Sequence, residues 1–166
     1  MLEVSVAVWQ FTIAFLPREW LDAGGDVHSL FDERGMDAAP AWWPYRHSKL
    51  EELLGSALSK GKSWYSDFSV WGNEQTDYIQ LSRRKGQVTS VVVRFDLRQP
   101  NMTLFQHVIY IAQELHLAIV VLETESVVQP EVEQLLRAAA ESKATHFVLD
   151  PASFLSQMES ANTRAT

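Results

Sequence analysis

The chain has 166 residues, 46% of them hydrophobic and 21% charged, with a net charge of −7 and no cysteine. That suits one globular domain, able to bury about two-thirds of its unfolded surface. It argues against a bulk nucleic-acid binder, which needs a basic footprint, and it excludes disulfides, thiolate catalysis and zinc–sulfur sites. A reducing, cytoplasmic setting is expected, with no membrane span and no signal peptide, because the longest apolar stretch, Val4 to Leu16, is about 13 residues and contains Gln10 and Thr12, short of the ~20 that a span needs.

In chain order, Leu2 to Phe15 predicts a long first strand. Leu2, Val4, Val6 and Val8 alternate on one face before the apolar positions shift to Phe11, Ile13 and Phe15, which predicts a bulge near Trp9–Gln10. Ala23 to Pro44 is rich in Gly, Pro and acid and reads as a long loop, pinned by Phe31, Trp42 and Trp43. Ser48 to Lys60 predicts a helix: Ser48 and Glu51 have capping-box spacing, Leu50, Leu53, Leu54, Ala57 and Leu58 form its apolar stripe, and Gly61 follows its end.

Three strands follow between Ser63 and Pro100, turning at Gly72–Asn73 and at Arg84-Lys85-Gly86-Gln87. Val91, Val93, Phe95 and Leu97 read as core-facing. Asp67, Ser69 and Trp71, then Tyr78 and Gln80, then Arg94, Asp96 and Arg98 read as a more polar outer face.

A helix is predicted from Thr103, capped through Gln106, to about Leu115. Leu117 to Leu122 reads as an interior strand, so that Val91 to Leu122 makes a strand–helix–strand crossover. Pro130 predicts the start of a further helix. Thr145 to Leu149 reads as a short strand, and Asp150-Pro151 as the cap of a last helix ending about Met158. The expected fold is α+β: a single mixed, mostly antiparallel sheet of five to six strands with helices packed largely on one face. Residues 1–160 form one domain in this reading and 161–166 a frayed tail.

No sequence motif for catalysis stands out. His28, His47, His107, His116 and His146 lack ligand spacing, and no nucleotide-binding, nucleophile-elbow or calcium-loop pattern occurs. Asp96, flanked by Arg94 and Arg98, reads as an ionised partner of arginine, since a general acid needs a raised pKa. No catalytic residue, metal or cofactor is expected. Two surfaces are left. The acidic 22–37 stretch, with Asp26, Asp32, Glu33 and Asp37, can steer association with a basic cleft. The outer sheet face offers Trp71, Tyr78, Arg94, Asp96 and Arg98, of which Tyr, Trp and Arg are the types enriched in interface hot spots. Charge is unevenly spread: residues 61–100 carry six basic and four acidic groups, whereas both flanking parts are net acidic.

The segments LFDERGMD, SDFSVWGNEQTDYIQL, VVVRFDLR and ESKATHFVLDP resemble small bacterial immunity-type proteins found beside polymorphic or contact-delivered toxins. The resemblance runs from about Leu30 to Phe154. It implies an acidic, cytoplasmic, non-enzymatic protein that binds a cognate protein toxin in a 1:1 complex and occludes its active site. A small enzyme using carboxylate and histidine in a cleft beside the sheet is an alternative reading. An accessory subunit of a larger assembly is another, and weak homodimerisation is open.

Overall fold

The structure, a computed structural model, describes residues 6–46 and 48–164. In chain order its elements are β1 (Gln10–Pro17), α1 (Arg18–Asp22), a 3-10 turn (Val27–Leu30), β2 (Phe31–Asp32), β3 (Gly35–Met36), α2 (Ala39–Trp42), α3 (Leu50–Ala57), β4 (Phe68–Gly72), β5 (Tyr78–Arg84), β6 (Gln87–Asp96), α4 (Met102–Glu114), β7 (Leu117–Val121), β8 (Ser126–Val128), α5 (Val132–Ala140), α6 (Lys143–Leu149) and α7 (Pro151–Arg164). Strands β2 and β3 make a small ribbon; the other six form one sheet in the order β4-β5-β6-β1-β7-β8. The architecture is α+β, as the sequence predicts.

Every neighbouring pair in the six-stranded sheet is antiparallel. The mixed character expected of it therefore does not extend to neighbours. Because β6 and β7 both flank β1 and oppose it, they run parallel to each other, and α4 carries the chain from one to the other across β1. The centre of the sheet is thus the N-terminal strand, closed in by a later crossover.

The core lies between the sheet and helices α2 to α4. Phe11, Ile13 and Phe15 of β1 share a face with Val91, Val93 and Phe95 of β6. Phe95 stacks between Phe11 and Phe105 of α4, with ring centroids 5.9 and 4.2 Å away. α2 packs on β1 and β6, and α3 on α4. The other face is also closed at its middle, where Ala14, Leu16, Ala118 and Val120 are fully buried; α6 packs on β1 and α7 on α6. Burial on both faces explains the near-continuous apolar run of β7.

Several expectations are corrected. The first strand starts at Gln10, after a turn at Val8–Trp9, so there is no bulge at that point, and Val6 and Val8 are exposed; Leu2 and Val4 lie outside the described residues. The α3 helix begins at Leu50 with no side-chain cap, so Ser48 and Glu51 form no capping box. Gly61 is not a helix cap either: its N–H donates to Val70 O at 2.8 Å, along the free edge of β4. The cap of α4 is Asn101, whose Oδ1 accepts from Leu104 N–H at 3.2 Å, two residues before the expected Thr103. Pro130 stands outside α5, which Glu131 precedes. Thr145 to Leu149 belongs to a helix, started by Ser142 Oγ accepting from Thr145 N–H. Asp150 does cap α7, accepting from Ser153 N–H at 3.1 Å, but the helix continues to Arg164 through most of the expected tail.

Candidate functional site

The two hairpin turns of the β4–β6 meander are set by local chemistry. Lys85 and Gly86 both have positive φ, +51° and +76°, as the tight primed turn between Arg84 and Gln87 requires. At the other end Gly72 has φ +81°, and a Cβ there would lie 2.2 Å from Asp77 O. Only glycine lets the chain leave β4 so tightly.

That second turn, residues 73–77, is tied to the start of β1. Gln10 donates from Nε2 to Glu74 O at 2.9 Å and to Thr76 O at 2.6 Å, while its Oε1 accepts from Ala7 N–H. Trp9 Nε1 donates to Gln75 O at 3.2 Å. Arg98 stacks over the Trp9 ring, 4.1 Å from its centroid, and also donates to Gln75 O. Asp96 N–H donates to Asp77 Oδ1 at 2.8 Å, and Asp77 Oδ2 accepts from Asn101 Nδ2. These contacts lock the turn against β1, the end of β6 and the start of α4.

The outer sheet face is therefore largely structural. Pairing aligns Gly72, Tyr78, Arg94 and Thr12 across four strands, and Asp96 with Gln10. Tyr78, Arg94 and Asp96 are all buried. The Arg94 guanidinium lies over the Tyr78 ring, 5.3 Å from its centroid, and burial lowers the Arg94 pKa and raises that of the Tyr78 phenol. A polar ladder runs along β5: Tyr78 Oη donates to Gln80 Oε1 at 2.9 Å, and Gln80 Nε2 to Ser82 Oγ at 3.1 Å.

Trp71 is not on that face. Its register partner is Ile79, which pairs in turn with Val93, and all three belong to the core. The Lys60 ammonium covers the Trp71 ring at 4.4 Å, and α3 approaches so closely that a Cβ on Gly55 would meet Trp71 Nε1 at 3.1 Å. The expected grouping of Trp71 beside Tyr78 is corrected. Of the five sheet-face candidates, Arg98 has the exposed side chain, 44% accessible.

The acidic segment is more ordered than a loop. Asp26 Oδ1 accepts from His28 N–H at 3.0 Å and starts the 3-10 turn. Asp32 accepts from the backbone N–H of Arg34 at 2.8 Å and pairs with its guanidinium across the β2–β3 tip, where Glu33 also sits. Asp37 accepts from Ala39 N–H at 3.1 Å before α2. All four acids are exposed. The lobe is anchored from beneath by Val27, Leu30, Ala38, Ala41 and Trp42, all buried. Trp42 Nε1 donates to Phe15 O at 3.1 Å, whereas Trp43 is 65% exposed and does not pin the lobe. His28 Nδ1 lies 3.0 Å from Glu125 Oε2, and that contact raises the His28 pKa. The sequence reading missed this pair, because Glu125 is 97 residues away with no local pattern to flag it.

The remaining described histidines do not converge. His107 contacts Thr103 O within its own helix, and His116 has φ +56° in the turn after α4, where its carbonyl accepts from Arg18 N–H. His47 lies outside the described residues. Among the described residues no group of three or more His, Asp or Glu is placed to hold a metal ion, and no helix is long and apolar enough to cross a membrane.

No protein-family model matches the chain, and no curated protein or solved structure matches it significantly. The resemblance to immunity-type proteins rests on the sequence patterns alone.

Proposed function

We propose that this chain is a non-enzymatic binding protein of immunity type, which neutralises a cognate protein toxin by placing the acidic lobe in a basic cleft of its partner. One observation supports the reading above others. Asp26, Asp32 and Asp37 are exposed, yet each is fixed by a backbone N–H two residues on. Charges held in place before binding lose little conformational freedom on association, and a lobe that stays net negative with Arg34 paired to Asp32 steers encounter with a basic surface. Glu33 at the ribbon tip adds a fourth charge. Trp71, Tyr78, Arg94 and Asp96 are buried in the sheet and make no contact in this reading, in which the four acids and the exposed Arg98 supply the contacts.

The complex is 1:1 and its formation slows with added salt, since exposed charges are screened over about 8 Å at physiological ionic strength. The test is the association rate of the partner with wild-type protein and with the variant Asp26→Asn/Asp32→Asn/Glu33→Gln/Asp37→Asn, across a salt series. A slower, less salt-dependent rate for the variant is expected. An unchanged rate would remove the lobe from the interface.

A further inference from the structure

A cleft of ≈ 330 Å³ opens where the β5–β6 hairpin meets the segment that leads into α3. Its volume is at the small end of ligand sites. Its floor is apolar: Leu50 and Leu81 are buried, and Val88 is partly so. Tyr45 forms a rigid wall. Its Oη donates to Leu115 O at 3.0 Å, its ring meets Trp42 edge-on at 5.0 Å, and burial pushes its phenol up to about 12.

The polar groups around this floor are predominantly cationic. Arg46 and Arg83 line the cleft, and Arg84 and Lys85 form the hairpin turn between lining residues Arg83 and Gly86. The acid lining it is Glu51. Arg83 pairs with Glu51 and donates to Ser69 Oγ at 3.0 Å, with only 21% of its side chain accessible. A guanidinium has five donors in a planar fork and can serve a second carboxylate. Arg46 donates to the carbonyls of Trp43 and Tyr45, both at 2.9 Å, which holds its head at the rim. Gln87 contributes the remaining feature: its Oε1 is buried without a hydrogen-bond partner among the described residues, a state that costs free energy until a donor arrives.

We propose that this cleft binds a small monocarboxylate built on an aromatic or branched aliphatic group and carrying an adjacent hydroxyl or N–H. The carboxylate sits between Arg46 and Arg83, the apolar body lies on Leu50, Leu81, Val88 and the Tyr45 ring, and the donor satisfies Gln87 Oε1. Arg46 and Arg83 outweigh Glu51 in the lining, and Arg84 and Lys85 stand at its edge, so the cleft favours an anion over its neutral analogue. The inference is independent of the acidic lobe and of any protein partner.

The test is a titration of the full chain with 3-hydroxybenzoate, followed by amide NMR, with the uncharged 3-hydroxybenzamide as comparison. Saturable shifts are expected at Arg46, Glu51, Leu81, Gln87 and Val88, with a dissociation constant of about 10 mM or tighter, as a well-seated fragment of this size gives. The benzamide should bind at least about tenfold more weakly, and Arg83→Met should weaken the benzoate by a similar factor, as loss of a charge-assisted hydrogen bond does. If Arg83→Met does not fold, Arg46→Gln, at the exposed rim, carries the same expectation. Absence of saturation by about 50 mM, equal binding of acid and amide, or binding indifferent to the arginine variant would each overturn the proposal.

Discussion

Asp96 grips Arg98 with both carboxylate oxygens: Arg98 Nε donates to Oδ1 at 2.9 Å and Nη2 to Oδ2 at 2.8 Å, and the Arg98 backbone N–H adds a third bond at 3.0 Å. The R-x-D-x-R run therefore splits. Arg98 turns back to the aspartate, while Arg94 lies over Tyr78. The bonds from Arg98 hold the Asp96 carboxyl below its ordinary value of 3.8, and burial pushes the neighbouring Asp77 above it. Two aspartates linked by the Asp96 N–H donating to Asp77 Oδ1 thus have their carboxyl groups shifted in opposite directions.

Replacing Asp96 by Asn is expected to cost about 2 kcal/mol at pH 7, the range for buried hydrogen bonds to charged groups. Asp77→Asn should cost less, because the amide oxygen still accepts from Asp96 N–H and an unfavourable buried charge is removed. The pH dependence has a sign. With its folded pKa depressed, Asp96 contributes stability that is complete above 3.8 and lost as pH falls through the lower folded value. Asp77, raised, opposes folding at neutral pH and ceases to do so as pH falls through its folded value. Urea denaturation at pH 7 and about pH 3 should show the Asp96→Asn deficit shrinking in acid.

The two adjacent tryptophans should separate sharply. Trp42 is fully buried and bonded to Phe15 O, so Trp42→Phe leaves a void and loses that bond and should cost about 2 kcal/mol. Trp43 is 65% exposed, and Trp43→Ala should fall within about 0.5 kcal/mol of wild type. Equal effects in denaturant titrations would contradict the anchoring assigned to Trp42.

The glycines of the two meander turns differ likewise. Gly72→Ala meets both a positive φ and the Asp77 carbonyl 2.2 Å away, and should destabilise by at least about 2 kcal/mol. Gly86→Ala has the positive φ but nothing within 4 Å, so the left-handed penalty of about 1 kcal/mol stands alone. The comparison of urea midpoints checks whether turn closure or backbone conformation dominates.

His28 should titrate above the ordinary 6.5, because it faces Glu125 and Asp26. Glu125→Gln should bring it back towards 6.5 in an NMR titration, and salt should do so in part. With the folded pKa raised, the stabilising contribution is complete below 6.5 and lost as pH rises through the folded value. A His28 pKa indifferent to Glu125→Gln would show that the lobe does not dock on the β7–β8 turn.

The meander, α4 and β7 were legible because their periodicity and turns agree. Alternation alone does not choose a face for Trp71, because Val70 and Trp71 are both apolar and both buried. The turn carried the answer: closing Gly72 on Tyr78 places Trp71 opposite Ile79, on the side of Leu81 and Val91. Thr145 to Leu149 has strand-like β-branched and aromatic content, but Ser142 starts a helix there, a case of capping overriding propensity. The second ordered face of the sheet and the His28–Glu125 contact depend on long-range packing, which no local pattern encodes. The acids of the lobe were visible as charge, but not as side chains fixed by their own turns.

The most direct test of the central claim is a parallel capture from lysate of the native host, using tagged wild-type protein and the four-site neutralised lobe variant, both shown to be folded. The account predicts one stoichiometric protein with a toxin-like domain on the wild type, and its loss from the variant. Recovery of the same partner in equal amount by both proteins would contradict a role for the lobe, and a folded wild type that retains no partner from cells producing its genomic neighbours would contradict the binding function itself.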